Sequence, residues 1–567
     1  MTEKKNFYRA SAVDFGKIPG SPIAYWVSQQ FLNVFQSDKA LRAYGVTPCT
    51  GLQTGDNGQF IRKWFEVPIK KFSIKWFKLN NGGEVRKWFG NFIDVINWAN
   101  DGFSIKEHRS AVIRNSDYYF KEGATWNRIS SSFFAIRYLP PGLIFDQAGD
   151  SLFTTKTEVL PFMMAYLNSA LGYSIMKIIC PTLNATAGNI ENFPYPLKAL
   201  VQIDKIAVST NKLIQNSQSD WNSFETSWDF NNLPLLKATL REETLITTYN
   251  ELRSHWKEMA CETQALETEN NRIFITAYGL ESELTPEVPL KEITLTCNPH
   301  YRYGGDKTES ELESFLLADT MREFISYSVG CMFGRYSLDK PGLILANAGE
   351  TITDYLSQIP NPTFMPDTDN VIPLMSMDWF TDDLAERFKE FLKITFGTEN
   401  FDTNLQFIEK ALGKNGKPLT IREYFLKDFY NDHTRRYKKR PIYWLFSSPK
   451  GSFNALIYMH RYRPDTVSSI LNGYLREFRT KLTATKNHLE AVSISAAASA
   501  GEKTKALKDI ENIRKIIEEI DVYERDILYP LATKQIEIDL DDGVKVNYQK
   551  FGTAVKKIVG LDSKEED

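Results

Sequence analysis

Pro441-Ile442-Tyr443-Trp444-Leu445-Phe446 is an apolar run, Ser447-Ser448-Pro449-Lys450-Gly451 a turn, and the residues after it, to Tyr458, a second apolar run. Aromatic and branched residues in short blocks around a Ser/Pro/Gly turn read as two strands of a hairpin. Just beyond it the period changes. Val467, Leu471, Tyr474, Phe478 and Leu482 recur at spacings of three and four, and Leu507, Ile510, Ile513, Ile517, Ile520 and Ile527 do so again after Ser499-Ala500-Gly501. That pattern predicts two long helices folded back on each other through a small-residue turn and ending before Pro530. Strands and helices in separate blocks make the chain α+β.

Working outward, 567 residues at roughly 150 per domain allow several domains. Residues 1–197 read as a strand-rich lobe. Phe133-Phe134-Ala135-Ile136-Arg137-Tyr138 and Leu143-Ile144-Phe145 are two strands around Pro140-Pro141-Gly142, a helix follows over Leu160–Ile179, and Phe193-Pro194-Tyr195-Pro196 closes the lobe. Residues 198–272 are helical and polar, as a spacer would be. A second mixed lobe covers 273–464, where Thr308 and Glu311 form a capping box ahead of a helix running towards Tyr327. Residues 465–530 are the helical pair and 531–567 a charged tail expected to fray. The expected architecture is therefore α+β and multidomain: two mixed α/β lobes with helical spacers and a C-terminal antiparallel helix pair.

Several chemistries are absent from the sequence. Cys49, Cys180, Cys261, Cys297 and Cys331 are far apart, with no Cys-x-x-Cys, so neither a disulfide framework nor a zinc knuckle is written, and a reducing cytoplasm is the expected home. Six histidines show no paired metal spacing. Gly413-Lys414-Asn415-Gly416-Lys417-Pro418 puts proline where a phosphate loop needs a hydroxyl, and no Gly-x-Gly turn opens a nucleotide-binding βαβ unit. Met1-Thr2-Glu3-Lys4-Lys5 leads into polar and aromatic residues, so no secretory signal is expected. Val159–Met176 lacks charge but carries Pro161, Asn168, Ser169, Gly172 and Ser174, which predicts a buried helix rather than a membrane span.

The formal charge of −3 hides segregation. Between Ile61 and Gly90, eight bases (Arg62, Lys63, Lys70, Lys71, Lys75, Lys78, Arg86 and Lys87) face two acids, a local +6. Lys-Trp-Phe occurs there three times, at 63–65, 75–77 and 87–89, and alternation over Lys71–Trp76 predicts a strand with a lysine face. From His433 to Lys486, twelve bases face two acids, a local +10, leaving −19 for the rest. Here Arg435, Arg436, Lys438, Lys439 and Arg440 precede the hairpin, Lys450 sits in its turn, and Arg461 and Arg463 follow it. Such density predicts phosphate contact. The candidate DNA-binding residues are Lys63, Lys70, Lys71, Lys75, Arg86, Lys87, Arg435, Arg436, Lys438, Lys439, Arg440, Lys450, Arg461 and Arg463. On electrostatic grounds alone, a clamp this basic is also expected to attract acidic mimics of nucleic acid, such as DNA-mimic phage inhibitors.

Asn298-Pro299-His300-Tyr301 approaches the Asn-Pro-Pro-Tyr motif of amino-methyltransferases, but His300 replaces the second proline and no S-adenosylmethionine loop accompanies it. The strand-like Ile293–Cys297 running into a turn is the plainer reading. Asn6–Ser11, Lys17–Ser28, Met321–Ser337 and Lys439–Phe446 through Met459–Tyr462 closely resemble the C-terminal half of the PglX family, the adenine-specific DNA methyltransferases of BREX phage-defence systems. Related strings occur in fused restriction-modification methyltransferases. In that family the methyl-donor loop and the catalytic motif lie in the N-terminal half, so no catalytic, cofactor-binding or metal-binding residue carries over to this chain. The resemblance implies a target-recognition half that holds double-stranded DNA for a separate catalytic half, which binds S-adenosylmethionine, with other BREX proteins as further partners. Two rival readings are a complete but divergent methyltransferase using Asn298 and Tyr301, and a protein-interaction scaffold built on the helical pair.

Overall fold

The computed structural model describes residues 11–37, 39–129, 133–182, 184–414 and 416–561. Asn6–Ala10 of the first matching string, Asn415 of the glycine-lysine string and residues 562–567 of the expected tail lie outside the described residues. The chain divides into two units, but not at the expected boundaries. Unit 1 takes residues up to Arg62, Phe72–Trp228 and Arg253–Phe315; unit 2 takes Lys63–Lys71, Asp229–Leu252 and Leu316 onward. The segment expected to be a spacer is shared between them.

Unit 1 holds two four-stranded sheets. One has the order β1 (Val46–Cys49), β8 (Ser151–Thr154), β5 (Gly123–Trp126), β6 (Ile136–Leu139), with antiparallel registers Val46↔Thr154 and Gly123↔Leu139. The other has the order β2 (Ile61–Lys63), β4 (Asp94–Asn97), β3 (Trp76–Asn80), β7 (Ile144–Phe145), and β3 pairs in parallel with β7 at Leu79↔Ile144. The two strands expected on either side of Pro140-Pro141-Gly142 thus exist but enter different sheets. Leu139, Ile144, Phe145 and Phe153 meet Leu79, Phe89 and Ile96 in the core associated with both sheets.

The expected helix over Leu160–Ile179 is two helices, α1 (Val159–Asn168) and α2 (Ala170–Ile179), bent by 71°. Ser169 makes the break: it takes an extended conformation and its hydroxyl accepts from the Gly172 amide at 3.1 Å, restarting the helix. Gly172 is required there because a Cβ would collide with the Tyr166 carbonyl. Among the described residues no single helix is long and apolar enough to cross a membrane; only this bent pair passes, on length and composition, and Phe162, Met163, Leu167, Leu171 and Ile175 are buried in a core that also takes residues of β1, β5, β6 and β8. Ile206 and Leu213 of α3 (Ile203–Trp221) lie in the same core, so this part of the expected spacer belongs to the lobe.

Unit 2 is built on a three-stranded sheet of order β10 (Tyr443–Ser447), β11 (Asn454–Tyr458), β9 (Ile372–Pro373), and the hairpin has the register Tyr443↔Tyr458 and Ser447↔Asn454. Nearly every residue of both hairpin strands is buried, which explains the unbroken apolar runs. The Tyr443 ring stacks on Phe333 (5.3 Å), while Trp444 and Phe446 meet Phe551 at 5.6 and 5.5 Å. That last contact corrects the expected frayed tail: Leu540, Val544, Tyr548, Phe551 and Ala554 are buried, and the Lys556 amide bonds to the Leu445 carbonyl at 2.8 Å. The helical pair is present as Thr466–Ile494, with a π turn at Ile470–Leu475, and α4 (Ala500–Tyr523), opened by a Ser499/Glu502 capping box. A second π turn, Glu524–Leu528, carries the helical path past Pro530 to Lys534, so proline does not end it.

Candidate nucleic-acid interface

Eleven of the fourteen candidate bases fall in unit 2, because Lys63–Lys71 joins the second basic segment there. The reason is apolar. Trp64 and Phe65 are almost fully buried; Phe65 meets Tyr437 edge-on at 4.7 Å, and the Arg335 guanidinium lies 5.4 Å from the Trp64 ring centroid. Glu66 accepts from the Val544 amide at 2.8 Å and faces Arg440 at 3.9 Å. The first Lys-Trp-Phe string is therefore an anchor whose lysine is half-buried. Downstream of it Lys70 is largely exposed and 3.5 Å from Glu350, and Lys71 bonds Asp541 at 2.6 Å.

The most open cluster is the turn Arg435–Lys439. It ends the helix Tyr430–Arg436, and Lys438 and Lys439 both have left-handed backbones, at φ 50° and 60°. Each such residue costs about 1–2 kcal/mol outside glycine, so the surroundings must fix the turn. Backbone bonds do so, from Lys438 to the Arg435 carbonyl (3.1 Å) and from Lys439 to the Thr434 carbonyl (2.8 Å). His433 pins it to the hairpin by accepting the Tyr443 amide at Nε2, 3.1 Å. Burial and the neighbouring Arg436 and Arg335 hold this imidazole well below its ordinary pKa, so it stays a neutral acceptor. Arg435, Lys438 and Lys439 are exposed; Arg435 is 75% open and bonds Asp432 at 2.7 Å. Positive charge at a helix C-terminus also complements the helix dipole.

The hairpin turn offers Lys450. Glu519 of α4 ties this turn down, accepting from the Lys450 amide (2.7 Å), Ser448 Oγ (2.6 Å) and Ser452 Oγ (2.5 Å). Burial alone would raise the Glu519 pKa, but these donors hold it below the usual carboxylate range. The Lys450 ammonium is left on the exposed surface, as is Arg463, which faces Asp465 at 3.5 Å.

Four candidates are corrected. Arg86 is 4% exposed; it forms an ion pair with Asp220 and donates to Thr296 Oγ1 (2.7 Å) and the Phe89 carbonyl (3.0 Å). Lys87 is 5% exposed and bonds Glu267 at 2.7 Å, which also accepts from the Trp88 indole. Arg440 faces buried Glu66, and Arg461 donates to the carbonyls of Phe333, Asp367 and Thr368. All four serve the interior rather than a phosphate-facing surface. The expected strand over Lys71–Trp76 is a turn instead: Ser73 has φ 58°, its amide bonds to the Trp76 carbonyl, and β3 starts only at Trp76. Lys75 and Arg62 lie near that ring, at 5.5 and 5.8 Å.

Asp220 and Glu267 were the residues sequence reasoning missed. They sit on α3 and on the helix Leu245–Tyr278, whose polarity suggested spacers; much of that polarity is turned inward, at Thr210, Asn216, Ser217, Asp220, Thr263, Glu267 and Asn270.

The rival catalytic motif is occupied by structure. Ile293–Cys297 is not a strand; Asn298 caps a short helix, its side chain accepting from the His300 amide (3.2 Å) and donating to the Leu290 and Ile293 carbonyls (both 2.8 Å). The Tyr301 hydroxyl donates to the Val85 carbonyl at 2.7 Å. Gly82 and Gly83 follow β3 but open no cradle for S-adenosylmethionine, because Cβ atoms there would meet Ala148 and the Asn91 side chain, so the protein itself fills the space that this glycine pair opens. Among the described residues no His/Cys/Asp/Glu group could hold a metal ion.

Two curated proteins align with nearly the whole chain. It is 38% identical over 574 residues to Adenine-specific methyltransferase BrxX of Escherichia coli O9:H4 (strain HS), covering 96% of this chain and 46% of that protein. It is 37% identical over 585 residues to Adenine-specific methyltransferase PglX of Lacticaseibacillus casei (strain Zhang), covering 98% of this chain and 46% of the relative. The chain thus spans about half the length of the curated relatives it matches. No protein-family model matches it.

Proposed function

We propose that this chain is the double-stranded DNA recognition half of a BREX adenine-specific methyltransferase acting in phage defence. The observation that carries the reading is the pinned, strained turn Arg435–Lys439, which holds three exposed cations beside a buried hairpin. With Lys450, Arg463 and Lys70 on the same unit, it supplies charges that neutralise phosphates and set register on the duplex. Loops of unit 1 then read base edges in the major groove.

Methyl transfer is assigned to a second half, corresponding to the rest of the relatives' length, which binds S-adenosylmethionine and receives the flipped adenine. Two features support this division: the 46% coverage of each relative, and the commitment of Asn298 and Tyr301 to capping and packing. Reconstitution tests it. The chain alone should bind duplex DNA and transfer no methyl group, and methylation should appear once the catalytic half is supplied. Methyl transfer by the chain alone would overturn the reading.

A further inference from the structure

Unit 1 contains a cleft of about 280 Å³, near the lower end of small-ligand sites at roughly 300 Å³. Its walls include Phe133, Tyr173 and Met176, with Asn127 and Lys177 as polar members, and no carboxylate among the described residues lines it. The Lys177 ammonium lies 4.2 Å from the Tyr173 ring centroid.

Behind the wall is an unmatched charge. Arg137, on β6, is fully buried, and its guanidinium reaches the wall residue Asn127, donating Nη1 to Oδ1 at 3.0 Å. Its Nε and Nη2 find no hydrogen-bond partner. Burial and the like charge of Arg86 lower its pKa to about 10, leaving it cationic at neutral pH. Arg86 and Lys87 are neutralised by Asp220 and Glu267, so these three buried cations share two carboxylates. A buried charge without a counter-ion is costly, and its field is little screened. Low-dielectric walls focus that field into a cleft carrying one sign of charge.

Aromatic walls, positive potential and this volume together select a planar ring that carries an anion. We infer that this cleft binds a nucleoside monophosphate, its base against the Phe133 and Tyr173 rings and its phosphate drawn by Lys177 and the field of Arg137. Base-on-aromatic stacking contributes about 1–3 kcal/mol per base. Two sources carry this chemistry: a free nucleotide, and a nucleotide turned out of a bound strand.

The test has one arm for each source. Calorimetry titrates the chain with dAMP, dGMP, dCMP and TMP, with inorganic phosphate as control; fluorescence follows a duplex carrying a bulged 2-aminopurine. Saturable binding in either arm, weakened at least ten-fold by Tyr173→Ala and by Lys177→Met, is the expected result, and the arm that responds identifies the source. Arg137→Met should also weaken binding while leaving the unliganded protein at least as resistant to heat, because it removes the unmatched charge. No binding in either arm, or binding that Tyr173→Ala and Lys177→Met leave unchanged, overturns the inference. An unmodified duplex in the same buffer separates this outcome from the proposed function: its failure to bind would count against DNA recognition alone.

Discussion

Two segments of this chain are almost equally rich in lysine, arginine and aromatic residues, and the fold uses them in opposite ways. In 72–90, Arg86 and Lys87 point inward to Asp220 and Glu267, and Trp88 shares the second carboxylate. In 433–463, Arg440 and Arg461 are interior, but Arg435, Lys438, Lys439, Lys450 and Arg463 are exposed. The difference lies in distant partners. An arginine can be buried if a carboxylate meets it, and Asp220 lies 134 residues from Arg86. Charge density along a sequence therefore marks either an exposed basic surface or a polar interior, and the positions of distant acceptors decide which.

The contrast breaks most visibly at Asp220. Asp220→Ala leaves the Arg86 guanidinium buried without its counter-ion and removes the acceptor of the Thr296 and Cys297 amides. The expected cost is about 3–5 kcal/mol, a large share of the roughly 5–15 kcal/mol that holds a domain folded. Denaturant unfolding monitored by tryptophan fluorescence measures it, and a loss below 1 kcal/mol would deny Arg86 its interior role.

The exposed side of the comparison gives the next largest effect. Charge reversal at Arg435, Lys438 and Lys439 together should lower duplex affinity on the order of 100-fold at moderate salt while the far-ultraviolet spectrum stays unchanged. Fluorescence anisotropy with a labelled duplex reads it.

The two units should also answer pH differently. In unit 1, burial raises Asp146 to about 7 and Asp150 to about 6, against roughly 3.9 in an unfolded chain. Between about pH 4 and 7 the folded unit keeps protons that the unfolded chain has released, so stability falls as pH rises through that window. In unit 2, burial holds His433 well below its ordinary value and His460 at about 3. Both are neutral in the fold, so their contribution is complete above about pH 6.5 and is lost as pH falls below it. Asp367, raised to about 7 by burial and by Asp369, offsets part of this within unit 2. Hydrogen exchange from pH 7.5 to 5.5 should show protection rising around Asp146–Asp150 and falling around His433. The expected slope is ~1.4 kcal/mol per pH unit for each unbalanced proton. Smallest of all, Lys450→Ala removes one exposed cation and should weaken DNA binding only a few-fold, lowering the salt slope by about 0.9.

Local pattern carried some of this architecture plainly. The hairpin was legible because two apolar runs flank Ser447–Gly451, and the helical pair because its apolar residues keep a three-four spacing. The capping box at Thr308 and Glu311 is present, with Oγ1 of Thr308 accepting the Glu311 amide at 3.3 Å. What local pattern could not carry is which distant segments meet. Lys63–Lys71 looks like its basic neighbours, yet Trp64 and Phe65 place it in unit 2. Residues 540–555 look charged and loose, yet Val544, Tyr548 and Phe551 alternate with the charges and are buried. At the candidate interface, the exposed turn was visible as a run of bases; the burial of Arg86, Lys87 and Arg440 was not, because Asp220, Glu267 and Glu66 are remote in sequence, nor that of Arg461, whose acceptors are the equally remote carbonyls of Phe333, Asp367 and Thr368.

The most direct test of DNA recognition is a salt titration of duplex binding by this chain, alone and with Arg435, Lys438 and Lys439 reversed. Binding should weaken steeply and log-linearly with salt, and the reversed chain should lose about three phosphate contacts, a slope shallower by roughly 2.7. No binding at low salt, or equal slopes for the two proteins, would contradict the account.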